Sequence, residues 1–481
     1  MYEPQRLHPA AILEFLVRNI YKLVQAMLPL LILALGNSGI RRWLVILLPI
    51  MLLFFIAYGA LYWLRYLYYV HENELRLEFG VIVRKKRYIS LERIQTVQVS
   101  AGIIQRMFGL VKLQVETAGG GSKAELSLPA ISRAKADELQ WVLQNAGAFK
   151  PTAADQDDLM KFRLTAPALL LLASTSNSLG VVLAGIFAII SQLDEIVPGM
   201  AIWERVETQA TNFFTGHVST IILVLASLLL IAWLLSLLGN IILYGGFSLI
   251  RDGENLKITR GLLEKKQLTI PVRRIQAVRL VEGVLRQPFG MVSIKVVTIS
   301  NAGEKGEGNV LMPIIAWSKA EDFLKQVVPE FVVNLDTEQL PVRSRFRYIL
   351  VNLIPAVAMV LAALYFIPYG YLSLLLLPLS VGLGNMQYRD AGFKLQDGII
   401  LTRSRTLGRV TTIVPRPKIQ SLSVTWTYFQ ARRKLTTLQI SIASGSVDTR
   451  VKLVGMDNTR SLDISQWFSR LSGSRPKPAV Q

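Results

Sequence analysis

The stretch Arg93-Ile-Gln-Thr-Val-Gln-Val-Ser-Ala-Gly-Ile-Ile-Gln-Arg-Met-Phe-Gly109 decides how this chain is built, because it is met again as Arg274-Ile-Gln-Ala-Val-Arg-Leu-Val-Glu-Gly-Val-Leu-Arg-Gln-Pro-Phe-Gly290. Gln95 and Gln276, Gly102 and Gly283, and Gly109 and Gly290 all keep one offset of 181 residues, without a gap. Upstream, Leu75-Arg-Leu-Glu-Phe-Gly80 answers Leu256-Lys-Ile-Thr-Arg-Gly261 at the same offset. A third copy is more divergent. Lys418-Ile-Gln420 stands 144 residues beyond Arg274-Ile-Gln276, and its glycine positions hold Arg405, Thr427 and Lys434. Self-similarity at fixed spacing marks a structural unit used repeatedly, here three times.

Inside each copy, alternation of apolar and polar residues in Leu75 to Phe79, Val97 to Val99, Leu113 to Val115 and Leu126 to Leu128 predicts half-buried strands. Each copy closes on an amphipathic helix. Ser318 and Glu321 have capping-box spacing ahead of Phe323, Leu324 and Val327. Ser132 and Asn458 precede the corresponding apolar stripes of the first and third copies. The shared glycines at 109 and 290 follow a phenylalanine, where a backbone with positive φ is expected.

Between these polar segments the chain is greasy. Of 481 residues, 52% are hydrophobic and 18% charged, with mean hydropathy +0.40. A helix needs roughly 20 apolar residues to cross about 30 Å of hydrocarbon. Six runs are marked as spans, in three pairs: Leu23 to Gly36 with Trp43 to Leu64, Leu164 to Leu193 with Val218 to Phe247, and Tyr348 to Ile367 with Tyr371 to Gln387. Charges at Glu3, Arg6, Glu14, Arg18 and Lys22 argue against a signal peptide. Only Arg41, Arg42 and Arg205, of 53 basic residues, fall in the segments joining the two helices of a pair. By the positive-inside bias, both termini and the three polar segments are cytoplasmic.

The expected architecture is an α+β membrane protein with six transmembrane helices. Residues 1–66 hold the N-terminal segment and helices one and two, 67–150 the first small domain, 160–247 helices three and four, 248–330 the second domain, 345–388 helices five and six, and 389–473 the third domain.

Ile-Gln, then a glycine, then Phe-Gly ahead of a Val-rich strand, placed after a helical pair, resembles the bacterial pleckstrin-homology-like domain of the membrane-flanking class. Three such units in one chain are similar to the YdbT-type multi-pass membrane proteins of Gram-positive bacteria. The resemblance implies a curved seven-stranded sheet, in sandwich or barrel form, capped by a C-terminal helix in each domain. It also implies a shorter companion membrane protein with a single such domain as partner, and a role in envelope stress or antimicrobial resistance.

Catalytic groupings are not expected. The chain has no cysteine, which removes disulfides, thiolate metal sites and thiol catalysis. His8, His71 and His217 share no metal-ligand spacing. Gly119-Gly-Gly-Ser122 lacks the Lys-Ser or Lys-Thr of a phosphate-binding loop and reads as a strand connection, as does the region from Asn301 to Asn309. No enzyme activity, cofactor or metal is expected.

The informative polar signal is basic. The segments 65–163, 248–347 and 388–481 carry net charges of +4, +5 and +11 (15, 16 and 16 basic against 11, 11 and 5 acidic residues). Beside a bilayer, each cation near the surface gains about 1 kcal/mol from anionic headgroups. The candidate headgroup or partner contacts are Arg84, Lys85, Lys86 and Arg87 in the first copy and Lys265, Lys266, Arg273 and Arg274 in the second. The third supplies Arg416, Lys418, Arg432, Arg433 and Lys434. Gln95, Gly102, Gly109, Gln276, Gly283, Gly290 and Gln420 are taken as structural marks of the repeat.

No aromatic pair of the kind used for base stacking stands on the strands, so nucleic acid is not an expected partner. The expectation is a non-enzymatic membrane scaffold binding anionic phospholipid, a protein partner, or both. A transporter or channel component is the alternative. Against it, the spans hold essentially no ionisable groups, although Pro355 and Pro378 are placed to break the last two. Asn177, Asn240 and Asn352, with the small-residue ladder Gly180, Ala184 and Ala188, read as interhelical glue.

Overall fold

The computed structural model describes residues 38–117, 126–145, 218–299, 309–366, 370–443 and 450–469, with parts of 4–27 and 160–188. The first copy runs β1 (Gln5–Arg6), α1 (Ser38–Leu64), β2 (Leu67–His71), β3 (Glu74–Phe79), β4 (Lys85–Ser90), β5 (Ile94–Ala101), α2 (Ile103–Met107), β6 (Leu110–Thr117), β7 (Leu126–Ser132) and α3 (Arg133–Asn145). The second runs β8 (Lys161–Arg163), α4 (Ala166–Ser174), α5 (Val218–Tyr244), β9 (Ser248–Asp252), β10 (Asn255–Arg260), β11 (Lys265–Pro271), β12 (Ile275–Glu282), a 3₁₀ turn (Gln287–Phe289), β13 (Met291–Thr298), β14 (Asn309–Ala316) and α6 (Trp317–Val327). The third runs β15 (Glu338–Gln339), α7 (Arg345–Phe366), α8 (Leu376–Asp390), β16 (Gly392–Gln396), β17 (Ile399–Arg405), β18 (Arg409–Pro415), β19 (Ile419–Thr425), α9 (Tyr428–Arg432), β20 (Leu435–Ile442), β21 (Arg450–Asp457) and α10 (Asn458–Ser469).

Among the described residues each copy holds seven strands, and no copy keeps its seven in one sheet. Strand orders are β1-β2-β3-β4, β7-β6-β5-β11-β10-β9-β8, β14-β13-β12-β18-β17-β16-β15 and β19-β20-β21. The expected seven-stranded sheet per domain is therefore corrected: both seven-stranded sheets are composites, made from the last three strands of one copy and the first four of the next. A strand left at a sheet edge exposes unpaired backbone groups, and here the neighbouring copy supplies the pairing.

By packing, the chain forms two compact units, one of residues 1–118, 124–250 and 257–269, the other of 119–123, 251–256 and 270–481. Leu75, Leu113, Leu126 and Leu128 are fully buried in the first core. Ile400, Leu438, Ile440 and Met456 are fully buried in the second. Each such side chain contributes roughly 1.5–3 kcal/mol.

The Ile-Gln of the repeat is a β-bulge. The pairing register slips between Ile94 and Thr96, between Ile275 and Ala277, and between Ile419 and Ser421. Gln95, Gln276 and Gln420 are thus the extra residues that bend their strands. Gly109 and Gly290 have φ of 64° and 59°, and Lys434, their counterpart, has 53°. The left-handed turn is kept in the third copy without the glycine. Gly102 precedes α2 as its N-cap, and the Gly283 carbonyl accepts from Arg286 N at 2.9 Å. Thr427 replaces these two and forms a capping box with Gln430. The capping box expected at Ser318 is not formed: α6 starts two residues earlier, with Ala316 as N-cap and no side-chain cap.

Among the described residues, three helical stretches are long and apolar enough to cross a membrane: Val45–Leu64, Ala226–Tyr244 and Val342–Phe366. The 27 residues of α1 reach about 40 Å at 1.5 Å per residue, beyond the ~30 Å of hydrocarbon. The predicted sixth span is not one regular helix. Residues Gly370–Leu375 are 3₁₀, and the 15-residue α8 follows, with Pro378 in its first turn, where no N–H is needed. Pro355 lies inside an unbroken α7, so the expected break is absent there. Gly384 lets α7 and α8 touch: a Cβ at this position would lie 2.7 Å from Ile349 Cα. Most of the Leu23 to Gly36 run, parts of Leu164 to Leu193, Asn177 among them, and the loops at 119–122 and 301–308 lie outside the described residues.

Candidate functional site

The tip between the third and fourth sheet strands of every copy docks on a helix that precedes it. Arg65, just past α1, donates to the carbonyl of Val81. Leu262 N–H donates to Ile242 O of α5, 2.9 Å away. Gln387 of α8 donates to Thr406 O at 2.9 Å. These tips stand level with the ends of apolar helices and carry bare apolar side chains: Ile82 is 89% exposed, and Val83, Leu262, Leu263 and Leu407 are also exposed. The short helix after the fifth strand adds Met107 and Phe108 in the first copy, Phe289 in the second, and Trp426, Tyr428 and Phe429 in the third, all exposed. Aliphatic and aromatic side chains beside cations are what a membrane interface accommodates.

A cleft of about 180 Å³ opens at the foot of α1, lined by Tyr62, Tyr66, Phe79, Glu14, Arg87 and Lys112. It is smaller than the roughly 300–1,000 Å³ pockets of drug-sized ligands, a size suited to a headgroup rather than a whole lipid. Tyr66 is fixed by donating to Ser127 O at 2.6 Å, and Phe15 sits edge-on to Tyr62 with ring centroids 4.7 Å apart. Two cations face one carboxylate, Glu14, which accepts from Gln105 Nε2 at 2.9 Å. Lys112 stood outside the basic runs of the sequence and was missed for that reason. Its alternation on β6 was the available signal.

The predicted basic residues separate into two groups. Lys265 and Lys266 lie on β11, opposite Ala101 and Ser100 of β5. Arg273 and Arg274 form the 3₁₀ turn after β11, and the Arg273 carbonyl accepts from Lys418 Nζ at 2.8 Å. Burial, with Arg273 beside it, lowers the pKa of Arg274. Arg416 lies 5.0 Å from the ring centroid of Trp467 and donates to Phe468 O at 3.1 Å, which commits it to holding α10. These residues serve the places where copies meet or close. Arg84, Lys85, Lys86 and Arg87 lie on or beside β4 at a sheet edge, with Lys86 held 2.9 Å from Glu78; that hydrogen bond raises the pKa of Lys86. Arg432 ends α9 and is exposed, Arg433 lies 5.0 Å from the Phe346 ring, and the Lys434 carbonyl accepts from Asn458 N at 3.2 Å. Polar groups among the helices pair with one another: Asn240 donates to Ser176 Oγ at 2.8 Å, and Asn352 to Gln387 Oε1 at 2.7 Å.

The family model for the bacterial PH domain matches residues 23–146, 168–330 and 334–471. The chain is 34% identical over 492 residues to the UPF0699 transmembrane protein YdbT of Bacillus subtilis (strain 168), covering 98% of this chain and 99% of that protein. No solved structure matches.

Proposed function

From the premise that the chain belongs to the bacterial PH domain family, as a YdbT-type membrane protein with three PH-like domains, we propose a non-enzymatic multi-pass scaffold that grips anionic phospholipid headgroups at the cytoplasmic face. The carrying observation is the cleft that Arg87 and Lys112 line with Tyr62 of α1, in the copy whose tip exposes Ile82 and Val83. A phosphodiester headgroup enters between the two cations, while the tips sink into the interface. Paired crossings are supported by strand connectivity. Gln5 pairs with Tyr68, Phe162 with Leu249 and Glu338 with Phe393. The chain leaves a sheet and rejoins it across each helical segment, which an even number of crossings allows. A role in envelope stress fits this reading through family resemblance.

The single-domain companion implied by the family is the competing ligand for the same cations. Short-chain phosphatidylglycerol, titrated into delipidated full-length protein, separates the two. It is expected to raise the melting midpoint where phosphatidylcholine does not. The gain should shrink as the screening length falls from about 10 Å at 0.1 M salt to about 3 Å at 1 M, and vanish in Arg87→Gln/Lys112→Gln. An equal response to both lipids would leave the protein partner as the better reading. For orientation, single cysteines at Glu204 and Asn301 are exposed to an impermeant thiol reagent on intact cells. Labelling at Asn301 alone would reverse the proposed topology.

A further inference from the structure

The sheet joint between copies is made twice in one register. In the first, Lys265 lies opposite Ala101 and Thr269 opposite Val97. In the second, Arg409 lies opposite Glu282 and Ile413 opposite Val278. Under the repeat offsets Lys265 corresponds to Arg409 and Ala101 to Glu282, so the two pairings superpose residue for residue. Each joint needs one edge of the β11 kind and one of the β5 kind.

The chain has one more edge of each kind. Among the described strands, β4, the counterpart of β11 and β18, pairs only with β3; β19, the counterpart of β5 and β12, pairs only with β20. Their exposure agrees. Gln95 and Gln276 are buried, whereas Gln420, Ser421, Ser423 and Thr425 are exposed, as are Lys85 to Tyr88. Trp426, in the place of Glu282, is 62% exposed.

We propose that these two edges are the halves of a third joint, closed between two copies of this chain, with β4 of one copy adding antiparallel to β19 of the other. Carrying the offsets through places Tyr88 opposite Leu422, Lys86 opposite Val424, Lys85 opposite Thr425 and Arg84 opposite Trp426. No cation meets a cation in this register, and Arg84 meets the indole that favours it. Strand addition supplies the main-chain hydrogen bonds that an open edge lacks, and a head-to-tail contact of this kind builds rings or rows within the membrane plane. The joint does not depend on lipid in the cleft.

The natural absence of cysteine makes the test direct. Two differently tagged full-length copies are expressed together, one with Lys86→Cys and the other with Val424→Cys, or with Lys85→Cys and Thr425→Cys, and membranes are oxidised. A Gln98→Cys/Leu268→Cys chain, bridging the first joint, verifies the conditions. A disulfide dimer carrying both tags is expected for both in-register pairs. It should be missing for Lys86→Cys with Gln420→Cys, which lie about 13 Å out of register along the strand, beyond disulfide reach. If the verification joint bridges and no mixed dimer forms, the proposal is overturned. A chain carrying both in-register cysteines that oxidises only within itself also overturns it.

Discussion

The two joints share a backbone and differ in their side chains. At the first, buried Gln140 donates to Thr269 Oγ1 at 2.8 Å, and Arg133 donates to Gln267 Oε1 at 2.9 Å. At the second, Glu282, whose side chain is 2% exposed, pairs with Arg409. Arg409 also lies 3.5 Å from Asp390, and Arg405 joins Asp390 and the amide of Gln287. Arg403 and Arg409 lie 5.4 and 5.5 Å from the Trp317 ring centroid. The Glu282 hydrogen bond raises the Arg409 pKa, while burial and the neighbouring Arg409 lower that of Arg403. The first joint is thus closed by hydrogen bonds to uncharged acceptors and the second by ion pairs. Three similar copies could pair in several orders, and unlike side chains across otherwise equal backbones disfavour the wrong ones.

The largest effect is expected from Glu282→Ala. Removing one partner of a buried ion pair costs roughly 3–5 kcal/mol, and the low end applies because Asp390 remains beside Arg409. The melting midpoint of the full chain in detergent reads it. A loss no larger than that of Gln140→Ala would erase the distinction between the joints. Gln140→Ala strands the Thr269 hydroxyl and is expected to cost about 1–3 kcal/mol. Gln140→Leu with Thr269→Val should recover most of that loss, a compensation that a charged joint does not offer by deleting one side.

The left-handed turn sharpens the comparison between copies. Nothing lies within 4 Å of a Cβ built on Gly290, so Gly290→Val tests backbone strain alone and should cost roughly 1–3 kcal/mol. Lys434→Gly, at φ of 53°, should stabilise by about 1 kcal/mol. An unchanged melting midpoint in both would mean that the repeated glycine is not kept for its φ.

The smallest effect concerns Asp457, which accepts from Thr459 N at 3.1 Å at the start of α10. Burial pushes its pKa up, but the Thr459 hydrogen bonds, with Arg343 and Lys434 nearby, carry it below the usual carboxylate range. Its stabilising contribution is therefore complete above the unfolded value of about 4 and is lost as pH falls through the depressed folded value. Below about pH 4 the parent should lose more stability than Asp457→Asn, since asparagine caps nearly as well without titrating. Parallel acid profiles would remove Asp457 from the account.

Much of this was legible in the residues. The constant offset marked the copies, period-two alternation marked the strands, and uncharged length marked α1, α5 and α7 as membrane helices. These are local properties, because burial of alternate side chains and the thickness of hydrocarbon constrain a segment whatever its neighbours do. The Ile-Gln dipeptide was visible as a mark of the repeat but not as a bulge, since register belongs to two strands. Which strand meets β5 across its second edge was not written in β5 at all: backbone N–H and C=O groups are the same at every residue, so its own β4 and the next copy's β11 offer the same hydrogen bonds. Tertiary packing made that choice, and with it decided that Arg416 would hold Trp467, that Lys265 would sit in a joint, and that Arg87 would meet Lys112 in a cleft.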